Sequence, residues 1–133
     1  MATDGLSPEQ KEMISNLHKS CVAETSVSEE LIAAAAKGNF AEDKPLKCYM
    51  KCLLTSIGVM EEDGSMDFDA YMEMLPPQYK KWGEKVEAKC KDVAPPEGDA
   101  CETAFKINKC SYEADPEVSK LKHHSFNDLL RFV

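Results

Sequence analysis

The sequence predicts an all-α fold of about six helices followed by a C-terminal tail. Three observations predict it. Apolar residues recur with a helical period along almost all of the 133 residues. No convincing alternating strand pattern appears, and β-branched residues are sparse. Six cysteines, an even number in a short chain, favour disulfide staples between helices and an oxidising compartment over scattered reduced thiols. The length suits one domain over 1–133, with an N-terminal segment at 1–6 and a tail at 111–133.

The first helix starts at Ser7-Pro8-Glu9-Gln10, where Ser7 reads as the N-cap, Pro8 as the first helical residue and Gln10 as the partner in a capping box. Met13, Leu17 and Cys21 follow on one face, with Ile14 beside them. A second helix runs from near Ser28 to Gly38, which suits a C-cap. A third runs from near Asp43 to Gly58 and carries Cys48 and Cys52. The polar turn Glu-Glu-Asp-Gly-Ser-Met-Asp separates it from a short helix at Asp67–Leu75, which Pro76 and Pro77 stop. Tyr79 to about Asp92 forms a fifth, with Trp82, Val86 and Cys90 on one face. After Pro95-Pro96-Glu97-Gly98 a sixth carries Cys101, Ala104, Phe105, Ile107, Asn108 and Cys110. A tail of 23 residues follows Cys110.

Composition excludes several classes. Acids outnumber bases 24 to 16, for a net charge of −8, the opposite of a nucleic-acid binder. No stretch approaches the roughly 20 apolar residues of a membrane span, so no stable membrane insertion is expected. The opening MATDGLSPEQ lacks the apolar run of a signal peptide, so the chain reads as a mature form with Met1 added for expression. No Asn-x-Ser/Thr acceptor is present. A calcium loop at Met60–Glu73 fails, because placing Gly64 at the loop glycine puts Val59 and Ala70 where acidic ligands are needed. No nucleophile elbow, phosphate loop or zinc-protease motif appears. The expectation is no enzyme, no catalytic residue, no cofactor and no metal.

The stretch Lys-Cys-Tyr-Met-Lys-Cys at 47–52 sets two cysteines one helical turn apart. Their Cβ atoms would lie roughly 5–6 Å apart, whereas a disulfide wants about 3.5–4.5 Å. The two sulfurs should therefore reach different helices. A redox pair has two residues between its cysteines, and a zinc site needs further ligands at suitable spacing. Six cysteines allow 15 pairings, and this geometry leaves most of them open.

The cysteines stand at 21, 48, 52, 90, 101 and 110, with 26, 3, 37, 10 and 8 residues between them. This pattern, with its diagnostic intervals of 3 and 8 and the flanking LKCYMKC and CETAFKINKC, resembles the six-cysteine signature of insect odorant-binding proteins, the general odorant- and pheromone-binding family. The resemblance covers the chain from the first helix through Cys110. It implies the pairing Cys21–Cys52, Cys48–Cys101 and Cys90–Cys110. It also implies a closed, helix-lined apolar cavity, which a cross-linked shell can hold without solid packing.

What the resemblance implies in function is a secreted carrier of small, volatile, hydrophobic odorants or pheromones through sensillum lymph to an olfactory receptor. Homodimerisation is left open. The alternatives are a non-olfactory lipophile carrier, or a disulfide-stapled interaction module without a cavity. Helical phase and the family pattern together select lining candidates: Ile14 and Leu17; Met50, Leu54, Val59 and Met60; Met72; Trp82 and Val86; Ala104 and Ile107. Methionine suits an adaptable lining, and Met13, Met50, Met60, Met66, Met72 and Met74 supply it. Met50, between the two anchoring cysteines, is where the staple is expected to meet the pocket. Leu54 occupies the position where some relatives place an alcohol-binding hydroxyl. Thr55, Ser56 and Tyr112 are the remaining polar handles, each suited to a local backbone bond.

In the tail, Ser125 and Asp128 form a capping-box-like start, and Phe126, Leu129, Leu130 and Val133 share one apolar face. This pattern suits docking over or into the pocket. His123 and His124, with Asp128, are the candidate pH switch, since histidine charges between about pH 5 and 8.

Overall fold

The structure is a computed structural model that describes residues 8–75, 80–92 and 99–114. It contains α1 (Pro8–Thr25), α2 (Glu29–Ala36), α3 (Lys44–Ser56), α4 (Phe68–Met74), α5 (Lys80–Cys90) and α6 (Ala100–Ala114). The fold is all-α, as the sequence predicts. The sole β feature among the described residues is an isolated antiparallel bridge between Met60 and Met66. No described helix is long and apolar enough to cross a membrane.

Side-chain caps set most helix starts. Ser28 Oγ accepts from the Glu30 N–H at 3.2 Å, Asp43 Oδ2 from Leu46 at 3.0 Å, Asp67 Oδ1 from Ala70 at 3.1 Å and Asp99 Oδ1 from Glu102 at 3.1 Å. Each satisfies an N–H that has no partner within its helix. The expected Ser7 cap lies outside the described residues.

Two helix ends share one mechanism. After α2, Gly38 (φ +99°) donates to Ala35 and Asn39 to Ala34. After α3, Gly58 (φ +88°) donates to Thr55 and Val59 to Leu54. Both are Schellman closures, which need a left-handed residue that glycine adopts freely. Gly38 is constrained twice, because a Cβ there would lie 3.0 Å from the Tyr112 ring.

The helices pack in a connected order. α3 rests on α1 and α6, α6 on α5, and α5 on α4. Three disulfides follow these contacts: Cys21–Cys52 joins α1 to α3, Cys48–Cys101 joins α3 to α6, and Cys90–Cys110 joins α5 to α6. The cysteines one turn apart on α3 do reach different helices. The α3–α4 connection folds through a turn in which Gly64 donates to the Glu61 carbonyl and Glu61 to the Ser65 carbonyl, at 2.9 and 2.8 Å.

Two sequence expectations need correction. Met13 is 49% exposed, while Ile14 and Cys21 are buried. Ile14 and Cys21 point within about 20° of each other at the helical repeat, whereas Met13 is turned about 100° away from Ile14. The buried stripe therefore keeps Leu17 and Cys21 and is edged by Ile14 in place of Met13. The sixth helix also runs on to Ala114. Residues 111–114 belong to it, because Ser111 is buried there and Tyr112 packs edge-on against Phe40 at 5.9 Å.

Candidate ligand-binding site

The interior is built around α3. Its buried residues are Leu46, Tyr49, Met50, Leu53 and Leu54. They meet Ile14 of α1, Val86 of α5, and Ala104, Phe105 and Ile107 of α6, with Val59 and Met60 from the loop after α3. Of the expected lining residues, Ile14, Met50, Leu54, Val59, Met60, Val86, Ala104 and Ile107 are thus buried in one cluster, and Leu17 and Met72 pack against it half-buried. The Trp82 side chain lies outside the described residues, as do Phe126, Leu129, Leu130, His123, His124 and Asp128.

Two voids open within or beside this cluster. One of about 180 Å³ is lined by Gly64, Ser65, Met66, Phe68, Cys90, Lys91 and Ile107. A smaller one, about 10 Å³, is bounded by Ala35, Phe40, Met50, Asn108 and Tyr112. A groove of about 530 Å³ lies on the other side of α3, against Glu24, Lys44, Cys48, Lys51, Cys52, Glu62 and Cys101. The Cys48–Cys101 staple and Cys52 therefore face this polar groove. Met50, two residues from Cys48, is turned about 200° away at the helical repeat and lies inside. The expectation that the staple meets the pocket at Met50 is corrected accordingly.

The interior holds few polar groups, and each is partnered in a definite way. His18 bridges three helices: Nδ1 lies 2.7 Å from the Tyr49 hydroxyl and Nε2 3.0 Å from each Glu29 carboxylate oxygen. A neutral ring satisfies both contacts, with Nε2–H donating to Glu29 and Nδ1 accepting from Tyr49. Burial, reinforced by the Glu29 charge, pushes the Tyr49 phenol well above its ordinary range. Burial does the same to Tyr71, where a hydrogen bond with Ser111 opposes the shift. On α6, Ser111 Oγ donates to Ile107 at 2.8 Å and Asn108 Nδ2 to Ala104 at 2.9 Å.

Of the expected polar handles, Thr55 is held by backbone, donating to Lys51 at 2.9 Å, on the groove side of α3. Ser56 also lines the groove. The Tyr112 bond is not local: its hydroxyl donates to the Lys37 carbonyl, 75 residues away in sequence, at 3.2 Å. At the edge of the interior, Lys47 bonds Glu42 at 2.7 Å and Glu102 at 2.8 Å, and its Nζ lies 5.0 Å from the Phe105 ring centre.

Sequence reasoning did not single out Tyr49, Tyr71 or Ser111, nor assign Asn108 a role. A signal for the last two was present. Ala104, Ile107, Asn108 and Ser111 follow the i, i+3, i+4, i+7 spacing of one helix face, which places two polar side chains on a buried stripe.

Comparison with known proteins gives a consistent picture. The B1 protein of Tenebrio molitor is 28% identical over 131 residues, covering 97% of this chain and 93% of its own. A Locusta migratoria odorant binding protein, lmigOBP1, superposes with a TM-score of 0.76 at 28% identity, over 90% of this chain and 89% of its own. Odorant Binding Protein 7 from Anopheles gambiae, solved with four disulfide bridges in complex with an azo compound, gives 0.73 at 29% identity, over 89% and 95%. The sequence profile of the PBP/GOBP family matches residues 3–114. With that match spanning most of the sequence, and with the helices and disulfides arranged as described, this chain belongs to the PBP/GOBP family.

Proposed function

We propose that this protein is a secreted carrier that takes a small, volatile, hydrophobic odorant or pheromone into the apolar interior between α1, α3, α5 and α6. It would move the ligand through aqueous lymph to a receptor. The observation that carries this reading is the interior itself: apolar side chains from four helices, Met50 among them, joined by Met60 from the loop after α3, held by three cross-links and containing few polar atoms. Such a site binds by removing apolar area from water, at about 25 cal/mol per Å², and needs no covalent chemistry. The complex of the Anopheles relative with an azo compound supports it.

Within this reading, Ile14, Leu17, Met50, Leu54, Val59, Met60, Met72, Trp82, Val86, Ala104 and Ile107 line the pocket. Phe126, Leu129 and Leu130 cover or enter it, with His123, His124 and Asp128 making that cover pH-sensitive. Displacement of a fluorescent hydrophobic probe by alcohols, aldehydes, esters and terpenoids tests the carrier role. Graded displacement is expected, and failure of any probe to bind at micromolar protein overturns the reading. Removing residues 123–133 should flatten the dependence of affinity on pH between 7 and 5. An unchanged profile removes the histidines from the mechanism.

A further inference from the structure

We infer that Asn108 is the polar recognition point of the pocket, taking the single hydroxyl or carbonyl oxygen of an otherwise apolar ligand. The inference rests on the carrier reading above. Asn108 is only 6% exposed. Its amide can make up to four hydrogen bonds, yet among the described residues its one bond is from Nδ2 to the Ala104 carbonyl, at 2.9 Å. One N–H and the Oδ1 acceptor are left over, in surroundings where an unmet polar group is destabilising.

Beside Asn108 lies the void of about 10 Å³, whose other walls are Ala35, Phe40, Met50 and Tyr112. That volume admits one oxygen-sized group and no ring or chain. The spare N–H suits a carbonyl oxygen, and Oδ1 suits a hydroxyl. Met50 borders this void and also belongs to the apolar cluster. An oxygen seated at Asn108 thus has its carbon chain directed past a flexible thioether into the interior. Ser111 and Tyr71 are already engaged with each other, and Thr55 with backbone on the far side of α3.

The test compares an alkanol, an alkanone and a hydrocarbon of one carbon skeleton as displacers of a fluorescent hydrophobic probe from the full chain and from Asn108→Leu. The wild type should prefer the oxygenated ligands by about 3- to 10-fold, the range of one net hydrogen bond. Asn108→Leu should lose that preference while its affinity for the hydrocarbon changes less than about twofold. A variant that keeps the preference overturns the assignment. A wild type that binds the probe but shows no preference also overturns it and leaves the carrier reading standing. Failure of the wild type to bind any probe sinks the carrier reading and this inference with it. Should Asn108→Leu not fold, a crystal structure of the wild type with the alkanol decides. Ligand oxygen within about 3.2 Å of the Asn108 amide supports the assignment, and a water there with the oxygen elsewhere refutes it.

Discussion

The two faces of α3 do different work. The inward face carries Leu46, Tyr49, Met50, Leu53 and Leu54, all buried. The outward face carries Lys44, Cys48, Lys51, Cys52 and Thr55 along a polar groove. Cross-linking and apolar packing thus sit on opposite sides of one helix of 13 residues. The Cys48–Cys101 staple ties α3 to α6 from the outer side, while Cys52 reaches across to Cys21 of α1, which is itself buried in the core. The inner side remains available for adaptable side chains. Such a division suits a fold whose interior must accept a guest, because the cross-links act chiefly on the unfolded chain and so stabilise the shell without demanding a solidly packed interior.

The inner face should be the more sensitive of the two. Leu53 is 1% exposed, and Leu53→Ala should cost about 2–5 kcal/mol of unfolding free energy in urea titrations. Replacing Cys48 and Cys101 together by alanine should cost about 2–4 kcal/mol, read in the same way. Its effect on ligand affinity should be smaller than that of Leu53→Ala, since the bridge faces the groove. A disulfide variant that loses binding as severely as the core variant would refute the separation of roles.

The buried tyrosines give a third probe. Tyr49 and Tyr71 have phenols raised by burial, so the folded protein holds their protons after the unfolded chain has released them. Their contribution is fully present below the ordinary tyrosine range near pH 10 and is lost as pH rises from there towards the folded values. Stability should fall by about 1.4 kcal/mol per pH unit for each of the two. Phenolate absorbance should show these two ionising only with unfolding. Early, non-cooperative ionisation of every tyrosine would contradict their burial. The smallest effect is expected from Lys51→Ala. It removes an outer-face ion pair to Glu62 at 3.1 Å, whose carboxylate is 82% exposed, and should change stability by less than about 0.5 kcal/mol.

The helices were legible in the sequence because their ends are local. Ser28, Asp43 and Asp67 cap the turns that follow them, and Gly38 and Gly58 close the turns before them, whatever the rest of the chain does. Much of the buried core was legible too, since one period selects a stripe: Met50 and Leu54 on α3, and Ala104 and Ile107 on α6, are all buried. The edges of each stripe were not legible. Met13 and Ile14 are equally apolar neighbours, and only the position of α3 decides that Ile14 is covered. The Glu29–His18–Tyr49 bridge joins residues 11 and 31 positions apart from His18, a juxtaposition no local pattern contains.

By itself, then, the sequence determined the all-α class, the helix ends and the rule that Cys48 and Cys52 reach different helices, each a consequence of backbone geometry within a few residues. Tertiary structure alone decided that Ile14 rather than Met13 is covered, that α6 continues to Ala114, and that Asn108 is buried with hydrogen-bonding capacity to spare. Those outcomes depend on which helix covers which face. That is settled by the fit of side chains from distant parts of the chain, which periodicity cannot encode.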